Sequence, residues 1–136
     1  MKKNDQPEKG QPKKFSIKER LVSIKYAFNG LKIALKEEHN VRIHLLVAFC
    51  ILIAGALFQI SANEWIVIIF CISLVISLEL INSAIENTAD LISKERNESI
   101  KKIKDLSAGA VLVAAIASAI IGVIIFLPKI FNIFFC

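Results

Sequence analysis

Glu79-Leu80-Ile81-Asn82-Ser83-Ala84-Ile85-Glu86-Asn87-Thr88-Ala89-Asp90 follows directly on an apolar run at residues 65–78. Such a run predicts a membrane-spanning helix. At about 100° per residue, the helix brings Glu79, Asn82, Ser83, Glu86 and Asp90 into one narrow stripe. Three carboxylates and an amide then line one face where the helix leaves the lipid. Ionisable groups at that depth are costly and mark a functional site by default. The plainer reading is a polar cross-link between helices, which Asn82 alone would supply. Three acids with no Lys or Arg inside the span go against it, because unpaired buried charge destabilises a fold.

Working outward, the 136 residues allow one domain. Apolar residues make up 55% of the chain, enough to exclude a soluble helical core with ordinary polar faces. They gather after Arg42 into three runs, at about residues 43–60, 65–86 and 106–127, each near the length of a spanning helix. The expected fold is all-α: a polytopic membrane protein with three transmembrane helices and an N-terminal amphipathic surface helix at 15–36. Residues 15–136 form the membrane domain, and the Lys-rich stretch 1–14 reads as a disordered basic tail.

The net charge of +5 is unevenly spread. Eleven Lys/Arg precede residue 43, none falls in 61–64, five lie in 87–107 and one follows residue 127. The positive-inside rule places the N-terminus and the second loop in the cytoplasm, and the first loop and C-terminus outside. No continuous apolar segment or cleavage site precedes the first span, so insertion falls to that span. The basic balance suits anionic headgroups and phosphates. No aromatic-interleaved basic patch supports nucleic acid as a partner. Cys50, Cys71 and Cys136 show no ligand spacing and read as packing residues.

The surface helix repeats Ile17, Leu21, Ile24, Phe28, Leu31 and Leu35 at steps of four and three, with lysines on other faces, as an interfacial helix does. Gly30 interrupts it and predicts a bend or a close approach. Glu38 and Arg42 are spaced as a helical ion pair. His39 and His44 lack a third ligand and read as interfacial polar residues. Trp65 anchors the second span. From Trp65 to Glu86 the helix rises roughly 31 Å, with Glu79 about 10 Å short of Glu86. Glu79 therefore meets lipid, while Glu86 and Asp90 meet water. Residues 92–107 read as a polar loop that ends in Lys104-Asp105, facing the acids. In the third span Ala110, Ala114, Ser118 and Gly122 recur every four residues, beside Ala115 and Ala119. Such stripes allow close helix contact, and three thin helices enclose little space, so a homo-oligomer is expected.

Carboxylates without a permanent counter-cation suit Mg2+, which prefers oxygen ligands and keeps waters for phosphate. A carboxylate sunk in apolar surroundings suits general-base work. A nearby lysine meets phosphate charge. Together these groups fit phosphoryl transfer. Standard nucleotide motifs are missing from the sequence. On spacing alone, a small ion- or proton-coupled carrier using Glu79 fits equally well.

Residues 79–90 resemble the signature of the small bacterial integral-membrane lipid kinases, which comprise diacylglycerol kinase and undecaprenol kinase. That signature reads roughly E-x-[LIVM]-N-[ST]-[SA]-[LIV]-E-x-x-V-D, and only Ala89, in place of valine, departs from it. The resemblance runs from about residue 24 to 127. It includes Tyr-x-x-x-Gly-Leu at 26–31, Glu-x-x-x-Arg at 38–42 and Lys-Asp before small residues at 104–110. It implies a homotrimer at the bacterial inner (cytoplasmic) membrane, with ATP and Mg2+ as donor and a membrane lipid alcohol as acceptor. It implies Glu79 as general base, Glu38 and Glu86 as metal ligands, and Asn82 and Asp90 as supports. Tyr26, Glu38, Glu86, Glu95, Lys104 and Asp105 would contact the nucleotide. Arg96-Asn97 stands where some members carry Tyr-His. Glu19 stands where an arginine is often found. His44 stands where enterobacterial-type members carry an acid. With the small-residue run at 107–111, His44 leans the acceptor towards undecaprenol over diacylglycerol.

Overall fold

The computed structural model describes residues 16–93 and 97–135, with side chains described as far as residue 132. The expected tail at 1–14 and the proposed nucleotide contact Glu95 lie outside these residues. The described chain forms four helices: α1 (Ile17–Glu37), α2 (His39–Leu57), α3 (Ala62–Ile92) and α4 (Glu98–Phe135). Three of them, α2, α3 and α4 as far as Asn132, are long and apolar enough to cross a membrane. No strand occurs among the described residues.

α1 starts at Ser16, whose hydroxyl accepts from Glu19 N–H. It ends at Glu38, which turns extended at φ −97° and ψ 116°, so one residue separates α1 from α2. Ala34 and Val41 are buried on either side of that corner. Tyr26 and the aliphatic residues of α1 are exposed. The helix runs unbroken through Gly30, and a Cβ there would meet nothing within 4 Å. The close approach expected at Gly30 is therefore absent, because the middle of α1 stands clear of the other helices.

The turn from α2 to α3 is built by local hydrogen bonds. Gln59 takes the left-handed conformation at φ 49°. Ile60 N–H bonds to Gly55 C=O and Gln59 N–H to Ala56 C=O, the Schellman pattern that closes a helix end. Ser61 and Glu64 then form a capping box for α3. Gly55 makes the turn compact, since a Cβ there would lie 2.7 Å from the Trp65 ring.

α3 is the central element. It packs most extensively against α4, then against α2, and α1 touches both α2 and α3. At the Trp65 end, Ile60, Ile68, Ile125 and Phe126 form a buried cluster, and the Phe58 and Phe126 rings meet edge to face at 5.9 Å. Glu64 and Lys129 pair at 3.2 Å beside it, just past Pro128 in α4. The α1 end carries the acids.

The polar segment after α3 differs from expectation. α3 continues to Ile92 and α4 begins at Glu98, so most of the segment expected as a loop at 92–107 is helix. Helical spacing explains the change: Lys101 and Asp105 pair four residues apart, and Lys104 turns towards α3. The small residues of α4 also divide. Ala114 is buried, whereas Ala115, Ser118, Ala119 and Gly122 line a groove. That groove, of about 640 Å³, lies between α2 and α4 over α3.

Candidate active site

Burial grades along the acidic stripe of α3. Glu79 is 3% exposed, Asn82 6% and Ser83 8%, while Glu86 is half-buried and Asp90 exposed. The helical stripe is thus also a gradient from dry to wet. At about 1.5 Å per residue, α3 is about 46 Å long and outruns a hydrocarbon layer of about 30 Å. Glu86 and Asp90 fall in its last two turns, at one end of this surplus length.

Each acid has its own partner. Glu79 Oε1 lies 3.1 Å from His44 Nε2 of α2. Asn82 Nδ2 donates to Glu86 Oε1 at 3.0 Å, one turn along the helix. Asn82 Oδ1 is buried without a partner among the described residues. Lys104 Nζ donates to Asp90 Oδ1 at 2.5 Å and so joins α4 to α3. Asn87 and Thr88 bond back to the carbonyls of Ser83 and Ala84 and brace the same stretch of helix.

Among the described residues, no hydrogen bond or ion pair joins Asp105, Tyr26 or Glu38 to the acids of α3. Asp105 pairs at 3.7 Å with Lys101. Tyr26 is 70% exposed on α1. Glu38 is half-buried at the α1–α2 corner, and no ion pair joins it to Arg42. Glu38 lies outside both helices, which removes the helical spacing on which that pair depended. Among the described residues, no three of His, Cys, Asp and Glu gather as a metal site.

His44 is the residue that sequence reasoning undervalued. The buried positions of α2 are Val41, Ala48 and Gly55, seven apart. His44 falls on the same stripe, three residues after Val41, so helical spacing carried the signal.

Comparison with known proteins reaches the same stretch. The chain matches the profile of the prokaryotic diacylglycerol kinases over residues 25–126. It belongs to that family. It is 43% identical over 107 residues to the undecaprenol kinase of Bacillus subtilis (strain 168), covering 79% of this chain and 87% of the relative. It is 39% identical over 103 residues to the diacylglycerol kinase of Haemophilus influenzae, covering 75% and 84%. To the diacylglycerol kinase of Synechocystis sp. it is 37% identical over 113 residues, covering 82% and 65%. These relatives are named as kinases of undecaprenol or of diacylglycerol, and none is named as a carrier. That disfavours the carrier alternative.

The oxygen donors at the α1 end suit magnesium. Glu38 and Glu86 are both half-buried carboxylates, and Glu86 Oε2 is left free by the Asn82 bond. Among the described residues no three such ligands gather, so a cation held by these two carboxylates would need waters or phosphate oxygens as further ligands, which magnesium accepts.

Proposed function

We propose that this protein phosphorylates a membrane lipid alcohol with ATP at the cytoplasmic membrane surface. Family membership supports the reaction class. The observation that carries the site assignment is Glu79, a carboxylate buried inside a membrane-spanning helix and paired with His44, which lines an apolar groove.

In this reading Glu79 is the general base. It takes the proton of the lipid hydroxyl as the hydroxyl oxygen forms its bond to the γ-phosphorus. The bond from that phosphorus to the bridging oxygen breaks, and ADP leaves with the electron pair. The apolar tail lies along the groove, whose lining is aliphatic and aromatic apart from His44, Cys71, Ser118 and Gly122. Glu38 and Glu86 would hold magnesium, which would supply positive charge against the phosphates. Asn82 fixes Glu86 through its amide. Lys104, held by Asp90, lies beside the phosphates. Tyr26, Glu95 and Asp105 complete the nucleotide contacts. Of the three relatives named, the undecaprenol kinase shares the highest identity, which favours undecaprenol as acceptor.

α1 would lie in the interface with its aliphatic face in lipid, which accounts for the exposure of Ile17, Leu21 and Phe28. The basic α1 end is cytoplasmic and the Glu64–Lys129 end faces outward. Three copies would assemble as a homotrimer, with exposed small residues such as Ala110 and Ala119 allowing close contact.

The test is transfer of radiolabelled γ-phosphate from ATP to undecaprenol and to diacylglycerol, side by side, by purified protein in detergent. Labelled lipid is expected, with undecaprenol the faster acceptor. No label in either lipid would overturn the kinase reading, and faster labelling of diacylglycerol would overturn the choice of acceptor.

A further inference from the structure

We propose that His44 is a positioning residue for the lipid-kinase reaction: it holds the Glu79 carboxylate and aims it at the groove. This rests on Glu79 acting as the base. His44 lines the groove and pairs with the side chain of Glu79. Its side chain is 27% exposed, against 4% for that of Glu79. Among the groove-lining side chains, Ser118 lies on α4, Cys71 lies on α3 towards the Trp65 end, and His44 lies in α2 at the α1 end.

The geometry gives the two oxygens of Glu79 different roles. Oε1 lies 3.1 Å from His44 Nε2, and no hydrogen bond from any other residue to the Glu79 side chain occurs among the described residues. With the proton on Nε2, the imidazole donates to Oε1 and leaves Oε2 for the acceptor hydroxyl. A glutamate in a helix has three side-chain torsions, and its own helix supplies no donor to fix them. A donor from α2 restricts the carboxylate to one orientation. It also ties the base to the helix that forms one wall of the groove, so that a lipid tail and the reacting oxygen are set by the same element. Preorganisation of this kind acts on turnover and leaves nucleotide binding alone.

The experiment uses the full-length protein in detergent with undecaprenol and Mg-ATP. His44→Phe keeps a ring and removes the donor. It should lower kcat about 10- to 100-fold, the range for a hydrogen bond to a charged group, with KM for Mg-ATP unchanged. His44→Gln restores an N–H near the position of Nε2 and should recover most of the rate. His44→Asn places its amide nearer the Nδ1 position, short of Glu79, and should stay slow. This Gln/Asn comparison decides the matter even if the Phe variant fails to fold. Wild-type kcat in His44→Phe, or equal rates in His44→Gln and His44→Asn, would overturn the proposal. Glu79→Gln is measured alongside. If it is inactive while His44→Phe is fully active, only the role of His44 falls. If Glu79→Gln is active, the base assignment falls first and takes this proposal with it.

Discussion

Asn82→Ala separates a structural residue from a functional one. In the folded protein Asn82 makes one favourable contact and suffers one unfavourable one. Its Nδ2 donates to Glu86 Oε1 at 3.0 Å, and its Oδ1 is buried without a partner among the described residues. A hydrogen bond to a charged acceptor contributes about 1.5–3 kcal/mol, and a buried polar atom left unsatisfied costs about 1–3 kcal/mol. Alanine removes both, so the two terms largely cancel and stability should change by no more than about 1 kcal/mol. Activity has no such compensation. Glu86 loses the donor that fixes its carboxylate, and kcat/KM for Mg-ATP should fall about 10- to 100-fold. The assay is ADP release at saturating lipid over a series of Mg-ATP concentrations, with a melting curve of the same sample in detergent. A clear fall in melting temperature with unchanged kinetics would refute the reasoning, because it would make Asn82 a cross-link between helices and nothing more.

Lys104→Met removes the partner of Asp90 in a pair whose side chains are 32% and 59% exposed. Such a pair is worth about 0–1 kcal/mol, so the melting temperature should barely move while KM for Mg-ATP rises in steady-state kinetics. Gly55→Ala places a Cβ 2.7 Å from Trp65 Cη2. Overpacking costs about 1–3 kcal/mol and better helix propensity returns up to about 1 kcal/mol, so a lower melting temperature is expected with little change in KM for Mg-ATP.

The helices were legible because apolar runs and a stripe of acids follow the period of the α-helix. Glu79, Asn82, Ser83, Glu86 and Asp90 share a face by arithmetic alone, and α3 runs through all of them. The start of α4 was harder to see. Lys101, Lys102 and Lys104 look like a loop when polarity alone is read, but the Lys101–Asp105 spacing and the Lys104–Asp90 bond extend the helix back to Glu98. Gly30 invited a close approach, which the exposed position of α1 does not supply. The partners of the acids lie further from the reach of sequence. Asn82–Glu86 follows from helical spacing, whereas His44–Glu79 joins residues 35 positions apart on different helices. The groove is a property of the gap between α2 and α4, and neither helix encodes it alone. Residue roles at Glu38, Tyr26 and Asp105 were carried by resemblance, and among the described residues no hydrogen bond or ion pair joins these side chains to Glu79.

Glu79→Gln tests the central claim most directly. The substitution keeps the shape of the side chain and removes its capacity to take the hydroxyl proton. Measured as phosphate transfer to undecaprenol, turnover should drop by about 10²- to 10⁴-fold, the range for loss of a general base, with Mg-ATP binding and the melting curve retained. Turnover close to that of the unsubstituted protein would contradict the account.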